Sequence, residues 1–334
     1  MIHKKMSDII GNTPMVELPV NAKNEWSLLL KLEKFNPGQS MKDRMALNMI
    51  NQAELDGRLH PGGTIIESSS GNTATGLALV AAERGYRFIA VVDHHAAKDK
   101  IGIIKAYGGE IRYVDSSNYG ENEVAVKERE LLAAQLSQEI PNSIFLQQAD
   151  NPANAEGYYK TLGQEIIDQT RGMVSMLIGS VGTGGSLSGT ARRLKEYDPS
   201  IQVIGVEPYG SVVFGGPNLP YFQSGTGNPG NVEIGKNVDY SLIDQGMTVT
   251  DKEAFNTARY LAREKGILIG GAAGGIIYKA IRLIREQIGT GNMVAIIADG
   301  GEKYLDTVFN DKWMEYRELI DHTIEKEVRD FLNT

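Results

Sequence analysis

Short apolar runs alternate with longer amphipathic stretches along most of the chain. The runs are bounded by Gly, Asp or Ser, whereas the longer stretches repeat their apolar residues with helical spacing. This alternation is typical of βαβ units that build a mostly parallel sheet. The predicted strands are 28–32, 64–67, 88–92, 111–114, 176–179, 202–206 and 293–298. The predicted helices are 42–56, 72–84, 98–107, 122–138, 155–170, 187–197, 252–265, 275–287 and 313–332.

Residues 210–231 interrupt this pattern with a segment rich in Gly, Pro and Asn. The segment is too long and too polar to be a packed element, so it is either a substrate-facing loop or a disordered connection. The aromatic residues Phe214, Tyr221 and Phe222 favour the substrate-facing loop, because disordered segments are poor in aromatic residues.

The length and composition indicate a globular chain with more than one core. A chain of 334 residues exceeds what a single core usually organises, so we expect two domains or one large α/β unit with an insertion. No stretch approaches the roughly 18 consecutive apolar residues of a membrane span, and the first residues carry no apolar signal region. We therefore expect a cytoplasmic protein without a membrane partner.

The charge and the reactive residue types exclude several classes of function. A formal net charge of −8 without Lys- or Arg-rich runs argues against nucleic acid as a partner and favours a small-molecule substrate. The absence of cysteine excludes disulfides and thiolate chemistry. The five histidines show no paired metal-binding spacing, so we expect no metal site.

A turn at residues 36–44 leads from a predicted strand into a predicted helix and contains Lys42. Ser40 is placed to cap that helix. A lysine at a helix N-terminus meets the positive end of the helix dipole, which disfavours the ammonium ion and lowers the pKa of the side chain. Such an amine can form an imine, although a lone lysine in this position is more often an ordinary surface residue.

Two further loops follow predicted strands and precede predicted helices. Residues 67–73 offer hydroxyls, an amide and backbone N–H groups to a carboxylate, or else form a serine-rich turn with helix caps. Residues 179–186 are rich in glycine, so that successive N–H groups and the helix dipole can hold a phosphate. This second loop lacks the Gly-Lys-Ser/Thr of a Walker loop and the acidic ribose partner of a dinucleotide site.

An imine-forming lysine, a carboxylate loop and a phosphate loop are together the three contacts that hold pyridoxal 5′-phosphate (PLP) and an amino acid. The motif Asn-Pro-x-x-Ser-x-Lys-Asp-Arg lies at 36–44, Ser-Ser-Gly-Asn-Thr at 69–73 and Gly-Thr-Gly-Gly-Ser at 182–186. In this order they resemble the fold-type II PLP enzymes of the cysteine synthase and cystathionine β-synthase family. The resemblance covers about residues 9–314.

The resemblance implies an architecture and an assembly. The fold class would be α/β, with two three-layer α/β/α domains that contain mostly parallel sheets. Residues 36–147 would form the smaller domain, and residues 1–35 and 148–334 the larger one, with PLP in the cleft between them. Because relatives are commonly dimers, the resemblance also implies a homodimer.

The resemblance implies a role for each motif residue. Lys42 would carry PLP as a Schiff base and move the substrate α-proton, and Asn72 would hold the 3′-oxygen of the cofactor. The cofactor phosphate would be bound by Gly182, Thr183, Gly184, Gly185 and Ser186. The substrate α-carboxylate would be bound by Ser69, Ser70, Gly71, Thr73 and Gln148. The implied reaction eliminates the β-group of an activated L-serine and adds a nucleophile to the resulting aminoacrylate.

Two positions depart from the family pattern. Ala272 stands where a serine usually meets the pyridine nitrogen, so Asp299 in the segment 298–302 is an alternative partner for that nitrogen. An ordinary loop or helix-start aspartate is an equal interpretation of Asp299. Ala149 stands where sulfide-using enzymes commonly carry an aromatic residue, which leaves room for a larger second substrate.

Residues 209–215 and 306–313 resemble the siderophore-pathway N-(2-amino-2-carboxyethyl)-L-glutamate synthases, which join O-phospho-L-serine to glutamate. The leading hypothesis is therefore β-replacement on O-phospho- or O-acetyl-L-serine by an amino-acid amine such as that of L-glutamate, giving a 2,3-diaminopropionate-type product. Two alternatives stay open. The nucleophile is sulfur, as in cysteine synthase or cystathionine β-synthase, or the chain is a catalytically silent relative that binds a ligand.

Overall fold

The computed structural model describes residues 2–21, 25–94, 96–117, 125–287 and 290–332. Its strands are β1 (Met15–Leu18), β2 (Glu25–Leu32), β3 (Thr64–Ser68), β4 (Arg87–Val92), β5 (Glu110–Tyr113), β6 (Ser143–Phe145), β7 (Met176–Ser180), β8 (Gln202–Pro208), β9 (Gln245–Val249) and β10 (Thr290–Ile297). They form a six-stranded sheet in the order β1-β2-β10-β7-β8-β9 and a four-stranded sheet in the order β5-β4-β3-β6. Neighbouring strands run parallel except β1, which is antiparallel to β2.

Helices connect most of the strands, as the parallel order requires. They are α1 (Lys42–Leu55), α2 (Asn72–Arg84), α3 (Lys98–Ala106), α4 (Val126–Glu139), α5 (Pro152–Tyr158), α6 (Gln164–Thr170), α7 (Gly185–Tyr197), α8 (Asp251–Lys265), α9 (Gly271–Glu286), α10 (Asp311–Tyr316) and α11 (His322–Leu332). A π-helical segment, Tyr159–Gly163, joins α5 to α6. None of the described helices is both long and apolar enough to cross a membrane.

Both sheets are buried on their two faces. Ile65 of β3 belongs to one hydrophobic cluster and the adjacent Ile66 to another. In β7, Leu177 and Ile178 are divided between two clusters in the same way. Successive side chains of a strand point to opposite faces, so packed layers cover each sheet on both sides. The predicted fold class of mostly parallel sheets is confirmed.

The four-stranded sheet lies within residues 64–145 and the six-stranded sheet uses residues on both sides of that segment. The division of the chain into domains at residues 36–147 and at 1–35 with 148–334 stays a prediction. One hydrophobic cluster includes Ile65 of the smaller sheet and Leu177 of the larger sheet. The two halves are therefore joined by a continuous apolar core.

The structure corrects the predicted elements in two respects. Strands β1, β6 and β9 were not predicted. The single helix predicted at 313–332 is wrong, because the chain forms α10 and α11 with a break between them. At the break, Glu318 has a φ of +54°, and the Asn256 amide donates to the carbonyl of Leu319 at 2.8 Å. Of the helix predicted at 122–138, residues 122–124 lie outside the described part of the chain.

Helices α5 and α7 approach so closely that a side chain does not fit between them. A Cβ added at Gly189 of α7 would lie 2.0 Å from the carbonyl oxygen of Ala155 in α5. We expect Gly189→Ala to lower the free energy of unfolding by about 1–3 kcal/mol, because the helices must move apart. Urea denaturation measures this loss.

The matched control is Gly102→Ala in the exposed part of α3, where an added Cβ would meet no heavy atom within 4 Å. Alanine favours helix over glycine by about 1 kcal/mol, so this variant should be as stable as the wild type or more stable. Equal effects of the two substitutions would contradict the close approach of α5 and α7.

Candidate functional site

The start of α1 is hydrogen-bonded to the residues that follow β10 in the six-stranded sheet. The N–H of Met41 donates to the carbonyl of Ala298 at 2.8 Å, and an isolated antiparallel bridge joins Ser40 to Asp299. The start of α2 reaches the same place, because Nδ2 of Asn72 donates to Oδ2 of Asp299 at 2.7 Å. Two loops that the sequence linked to one site therefore lie together.

Lys42 is the first residue of α1, and its side chain is partly exposed among buried neighbours. Burial lowers the pKa of Lys42 from 10.5 to about 8, although the charge of Asp299 opposes this shift. The sequence predicted the direction correctly but attributed it to the helix dipole, whereas the main cause is desolvation. The predicted cap is wrong, because the N-cap of α1 is Met41 and not Ser40, although Oγ of Ser40 accepts from the N–H of Lys42 at 3.2 Å.

Asp299 is buried and organises the polar groups around it. Its Oδ2 accepts from Asn72 and from the hydroxyl of Tyr304, each at 2.7 Å. Nζ of Lys303 donates to Oδ1 of Asn72, also at 2.7 Å. The amide of Asn72 thus has a carboxylate on its nitrogen and an ammonium on its oxygen, which fixes its orientation.

Asp299 also lies against the start of α9, where Ala272 is the second residue. A Cβ added at Gly270 would lie 2.1 Å from Oδ1 of Asp299. A carboxylate is therefore next to the helix turn that lacks the expected hydroxyl. Contact of Asp299 with a pyridine nitrogen stays a prediction.

The serine loop, residues 68–73 before α2, presents backbone N–H groups. The first backbone hydrogen bond of α2 runs from the N–H of Thr75 to the carbonyl of Gly71 at 3.1 Å, so the N–H groups of the first turn have no partner within the helix. A Cβ added at Gly71 would meet no heavy atom within 4 Å, which shows that the loop faces open space. Oγ1 of Thr73 donates to Oε1 of Gln148 at 2.6 Å, so these two predicted carboxylate ligands lie together.

The glycine loop, residues 179–186 at the start of α7, also presents backbone N–H groups that have no partner within the helix. The first hydrogen bond of α7 runs from the N–H of Ser188 to the carbonyl of Gly184 at 2.9 Å, which leaves the N–H groups of the first turn for an anion. Gly184 has a φ of +86°, and a Cβ there would lie 2.6 Å from Cα of Val238. Only glycine allows both the backbone angle and this approach.

Asn154 of α5 connects the glycine loop to Gln148, whose side chain in turn contacts Thr73 of the serine loop. Its Nδ2 donates to the carbonyl of Gln148 at 2.7 Å and to Oγ1 of Thr183 at 3.3 Å. The segment 210–231 closes the other side, since Gly227 N–H donates to the carbonyl of Val181 at 2.7 Å. The three predicted loops therefore form one site.

Sequence reasoning missed four polar residues at or behind this site. Lys303 and Tyr304 directly follow the segment 298–302, and Glu67 is the first residue of the segment 67–73, in which its carboxyl group was given no role. Their nearness to the motifs was the available signal. Lys100 of α3 donates to Oγ of Ser224 at 3.2 Å. No motif surrounds Lys100, and only the folded chain reveals its position.

Glu67 is buried behind the serine loop. Burial raises the pKa of Glu67 from 4.5 to about 8, although the N–H groups of Ser68, Gln148 and Gln147 act in the opposite direction. Within the described residues, its Oε2 has no hydrogen-bond partner. Glu67 is therefore a neutral acid at neutral pH that holds the end of β3 to the loop of paired glutamines.

The combined donor set fits a phosphorylated pyridine aldehyde. The first turn of α7 offers backbone donors and a helix dipole to the phosphate, and the N-cap residue Gly184 has the positive φ that this tight turn requires. The amine of Lys42, with its pKa near 8, suits reaction with the aldehyde. Asn72 provides a fixed amide for an oxygen on the ring.

Comparison with known proteins gives the same result. The family model of the pyridoxal-phosphate dependent enzymes matches residues 6–299. A putative cysteine synthase of Sinorhizobium fredii is 54% identical over 324 residues, covering 97% of this chain and 96% of that protein. The cystathionine β-synthase of Oryctolagus cuniculus is 40% identical over 315 residues, covering 91% of this chain and 56% of that protein.

Solved structures agree as well. O-ureido-L-serine synthase superposes with a TM-score of 0.85 at 32% identity, covering 94% of this chain and 100% of that one. A hydrogen sulfide-producing enzyme of Fusobacterium nucleatum gives a TM-score of 0.84 at 32% identity, with coverages of 91% and 98%. The chain therefore belongs to the pyridoxal-phosphate dependent enzyme family, and its cofactor is PLP, as predicted.

The pKa of Lys42 sets an expected pH dependence of cofactor uptake. The rate at which cofactor-free protein takes up PLP should rise with pH and level off near pH 8, because the neutral amine is the reacting form. Asp299→Asn removes the charge that raises this pKa, so the plateau should begin at a lower pH. Stopped-flow absorbance measures both curves. A wild-type rate that rises to roughly pH 10, as for an ordinary lysine, would contradict the desolvated amine.

Glu67 should make the wild type less stable as the pH rises. In the folded state it keeps its proton up to about pH 8, whereas in the unfolded state it loses the proton near its usual value of 4.5. The folded state therefore binds more protons in this window, and the stability from Glu67 falls with pH. Glu67→Gln should gain stability relative to the wild type from pH 5 to 8, measured by urea denaturation, with exposed Glu264→Gln as control. A difference that stays constant over this pH range would refute the assignment.

Proposed function

We propose that this pyridoxal-phosphate dependent enzyme replaces the phosphate or acetate group on the β-carbon of O-phospho- or O-acetyl-L-serine by the amino group of an amino acid such as L-glutamate. The coarser activity, a β-replacement of the cysteine synthase and cystathionine β-synthase type, follows from the relatives. When bound, PLP supplies the electron sink for loss of the α-proton and of the β-group. The product would be of the 2,3-diaminopropionate type.

In this proposal the site residues divide into three groups. Lys42 holds the cofactor covalently and carries the α-proton, since its amine is desolvated and has a pKa near 8. Asn72 binds the 3′-oxygen of the cofactor, and Asp299 contacts its pyridine nitrogen. The phosphate ligands are Gly182, Thr183, Gly184, Gly185 and Ser186. The ligands of the substrate α-carboxylate are Ser69, Ser70, Gly71, Thr73 and Gln148.

The observation that carries an amine-bearing acceptor is the small side chain of Ala149, which directly follows the carboxylate ligand Gln148 and is half-buried. Gly235 packs directly on Ala149, because a Cβ added at Gly235 would lie 2.7 Å from the carbonyl oxygen of Ala149 and 3.1 Å from its Cβ. Nδ2 of Asn237 donates to the same carbonyl at 2.7 Å, which fixes the backbone of Ala149. A methyl group in place of the aromatic ring common in sulfide-using enzymes supports an acceptor larger than sulfide.

The relatives support two kinds of nucleophile. A putative cysteine synthase and a cystathionine β-synthase, by their names, form sulfur products, which favours sulfur as the second candidate. O-ureido-L-serine synthase, by its name, makes a product without sulfur on the same fold. A silent ligand-binding protein is disfavoured, because binding alone gives no reason for a desolvated lysine opposite a buried carboxylate.

A role in siderophore biosynthesis, a cytoplasmic location and a homodimeric state are parts of the same proposal. They rest on the resemblance of residues 209–215 and 306–313 and on the sequence. The substrates would be small amino acids, without nucleic acid or membrane as a partner.

An acceptor panel tests the proposal. Each donor is supplied with glutamate, sulfide or homocysteine in turn, and products are identified by mass spectrometry. We expect an N-linked diaminopropionate product with glutamate. Ala149→Tyr should lower kcat/KM for glutamate about tenfold or more, by placing an aromatic ring next to Gln148, with a smaller effect on sulfide.

Lys42→Ala is the control for catalysis and should remove both the absorbance of covalently bound cofactor and the turnover. If the wild type consumes donor only with sulfide or homocysteine, the amine acceptor is wrong and the sulfur candidate replaces it. If it consumes no donor at all, the enzymatic proposal fails.

A further inference from the structure

Lys100 brings an ammonium group to the site from a helix that contains no motif residue. It is the third residue of α3, which connects β4 and β5 of the four-stranded sheet. Its Nζ lies 3.2 Å from Oγ of Ser224 and 5.1 Å from the ring centroid of Tyr304. Ser224 belongs to the loop after β8 of the six-stranded sheet. The side chain of Lys100 therefore spans the cleft between the two sheets.

The position is unfavourable for a lysine with a purely structural role. Burial lowers the pKa of Lys100, with Asp299 and Asp99 acting in the opposite direction. A cation in the first turn of a helix also faces the positive end of the helix dipole. Among the described residues, Lys100 forms no ion pair, and its hydrogen bond goes to the neutral hydroxyl of Ser224. The ammonium is thus partly desolvated without a directly paired anion.

Several lysines share the carboxylate of Asp299. Lys42, Lys100 and Lys303 all interact with this buried group, and Asp43, Glu302 and Asp99 add further acidic charge beside Lys303 or Lys100. Lys303 is already bonded to Asn72 and to the carbonyl of Gly38, at 2.7 and 3.0 Å. Lys42 is used by the cofactor in the proposed function. Lys100 is the cation of this group whose partner is a hydroxyl that a stronger acceptor can displace.

We infer that Lys100 binds the oxyanion that one of the two substrates carries in addition to its α-carboxylate. That oxyanion is the phosphate of an O-phosphoserine donor or the side-chain carboxylate of an acidic acceptor. The inference rests on the proposed β-replacement, in which the serine and glycine loops already hold the α-carboxylate and the cofactor phosphate. A charged N–H···O⁻ contact in a partly buried cleft gives affinity and selects substrates by charge.

The experiment compares Lys100→Met with wild-type holoenzyme on matched substrate pairs. The donor pair is O-phospho-L-serine and O-acetyl-L-serine with one acceptor, and the acceptor pair is glutamate and glutamine with O-acetyl-L-serine. We expect kcat/KM to fall about tenfold or more for the member that carries the recognised oxyanion, and much less for its uncharged partner. Loss confined to the phosphate donor assigns the donor, and loss confined to glutamate assigns the acceptor.

Lys105→Met, an exposed lysine of the same helix, is the control and should leave both comparisons unchanged. Lys100→Gln, which keeps a donor for Ser224, repeats the comparison should Lys100→Met fold poorly. An equal loss for all substrates, no loss, or a weaker absorbance of bound cofactor in Lys100→Met would overturn the inference.

The donor pair is run with sulfide if glutamate is not accepted. Failure of the amine acceptor therefore leaves the test of Lys100 intact, and the two proposals can fail separately.

Discussion

The buried guanidinium of Arg44 ties the first turn of helix α1 to Glu33 and Glu165, and the position of Lys42 in the same turn depends on these ion pairs. Arg44 donates to both oxygens of Glu33, at 2.6 and 2.8 Å, and through Nη1 to Glu165 at 2.6 Å. Lys31 donates to the same Glu165 at 2.7 Å. Burial alone would raise the pKa of Glu165, but hydrogen bonds and charge from Arg44 and Lys31 lower it to about 2. The paired fork is rigid and leaves little freedom to Lys42, two residues earlier in the chain.

The site places desolvated lysines inside an acidic protein. The chain has a formal net charge of −8, whereas Lys42, Lys100 and Lys303 all interact with the buried carboxylate of Asp299. An ammonium group that has lost part of its hydration gains from a bound anion. The same burial lowers the pKa of Lys42, because desolvation penalises the ammonium ion. Binding of anions and reactivity of the amine therefore have one physical origin.

The sequence predicted the parts of the molecule that local patterns encode. The central strands and the loops at 36–44, 69–73 and 182–186 were recognisable, because buried parallel strands are continuous apolar runs and the loops carry glycine and hydroxyl motifs. Strands β1 and β9 were missed because they lie at sheet edges and most of their residues are exposed or half-buried. Lys100 was missed for a different reason, since its function depends on contacts with Ser224 and Tyr304, more than 100 residues away.

The attachment of Met41 and Ser40 to β10 affects the mechanics of the cleft. The residue before Lys42 is hydrogen-bonded to the larger sheet, and Tyr158 of α5 donates to the carbonyl of Met41 at 3.1 Å. The cofactor lysine is thus fixed to the same frame as Asp299, although its position in the sequence assigns it to the smaller half. Asn72 at the start of α2 is hydrogen-bonded to Asp299 as well, so the serine loop is attached to that frame too. Any shift of the smaller sheet against the larger one would have to break these hydrogen bonds, so the relative positions of Lys42, Asn72 and Asp299 are set by the folded chain itself.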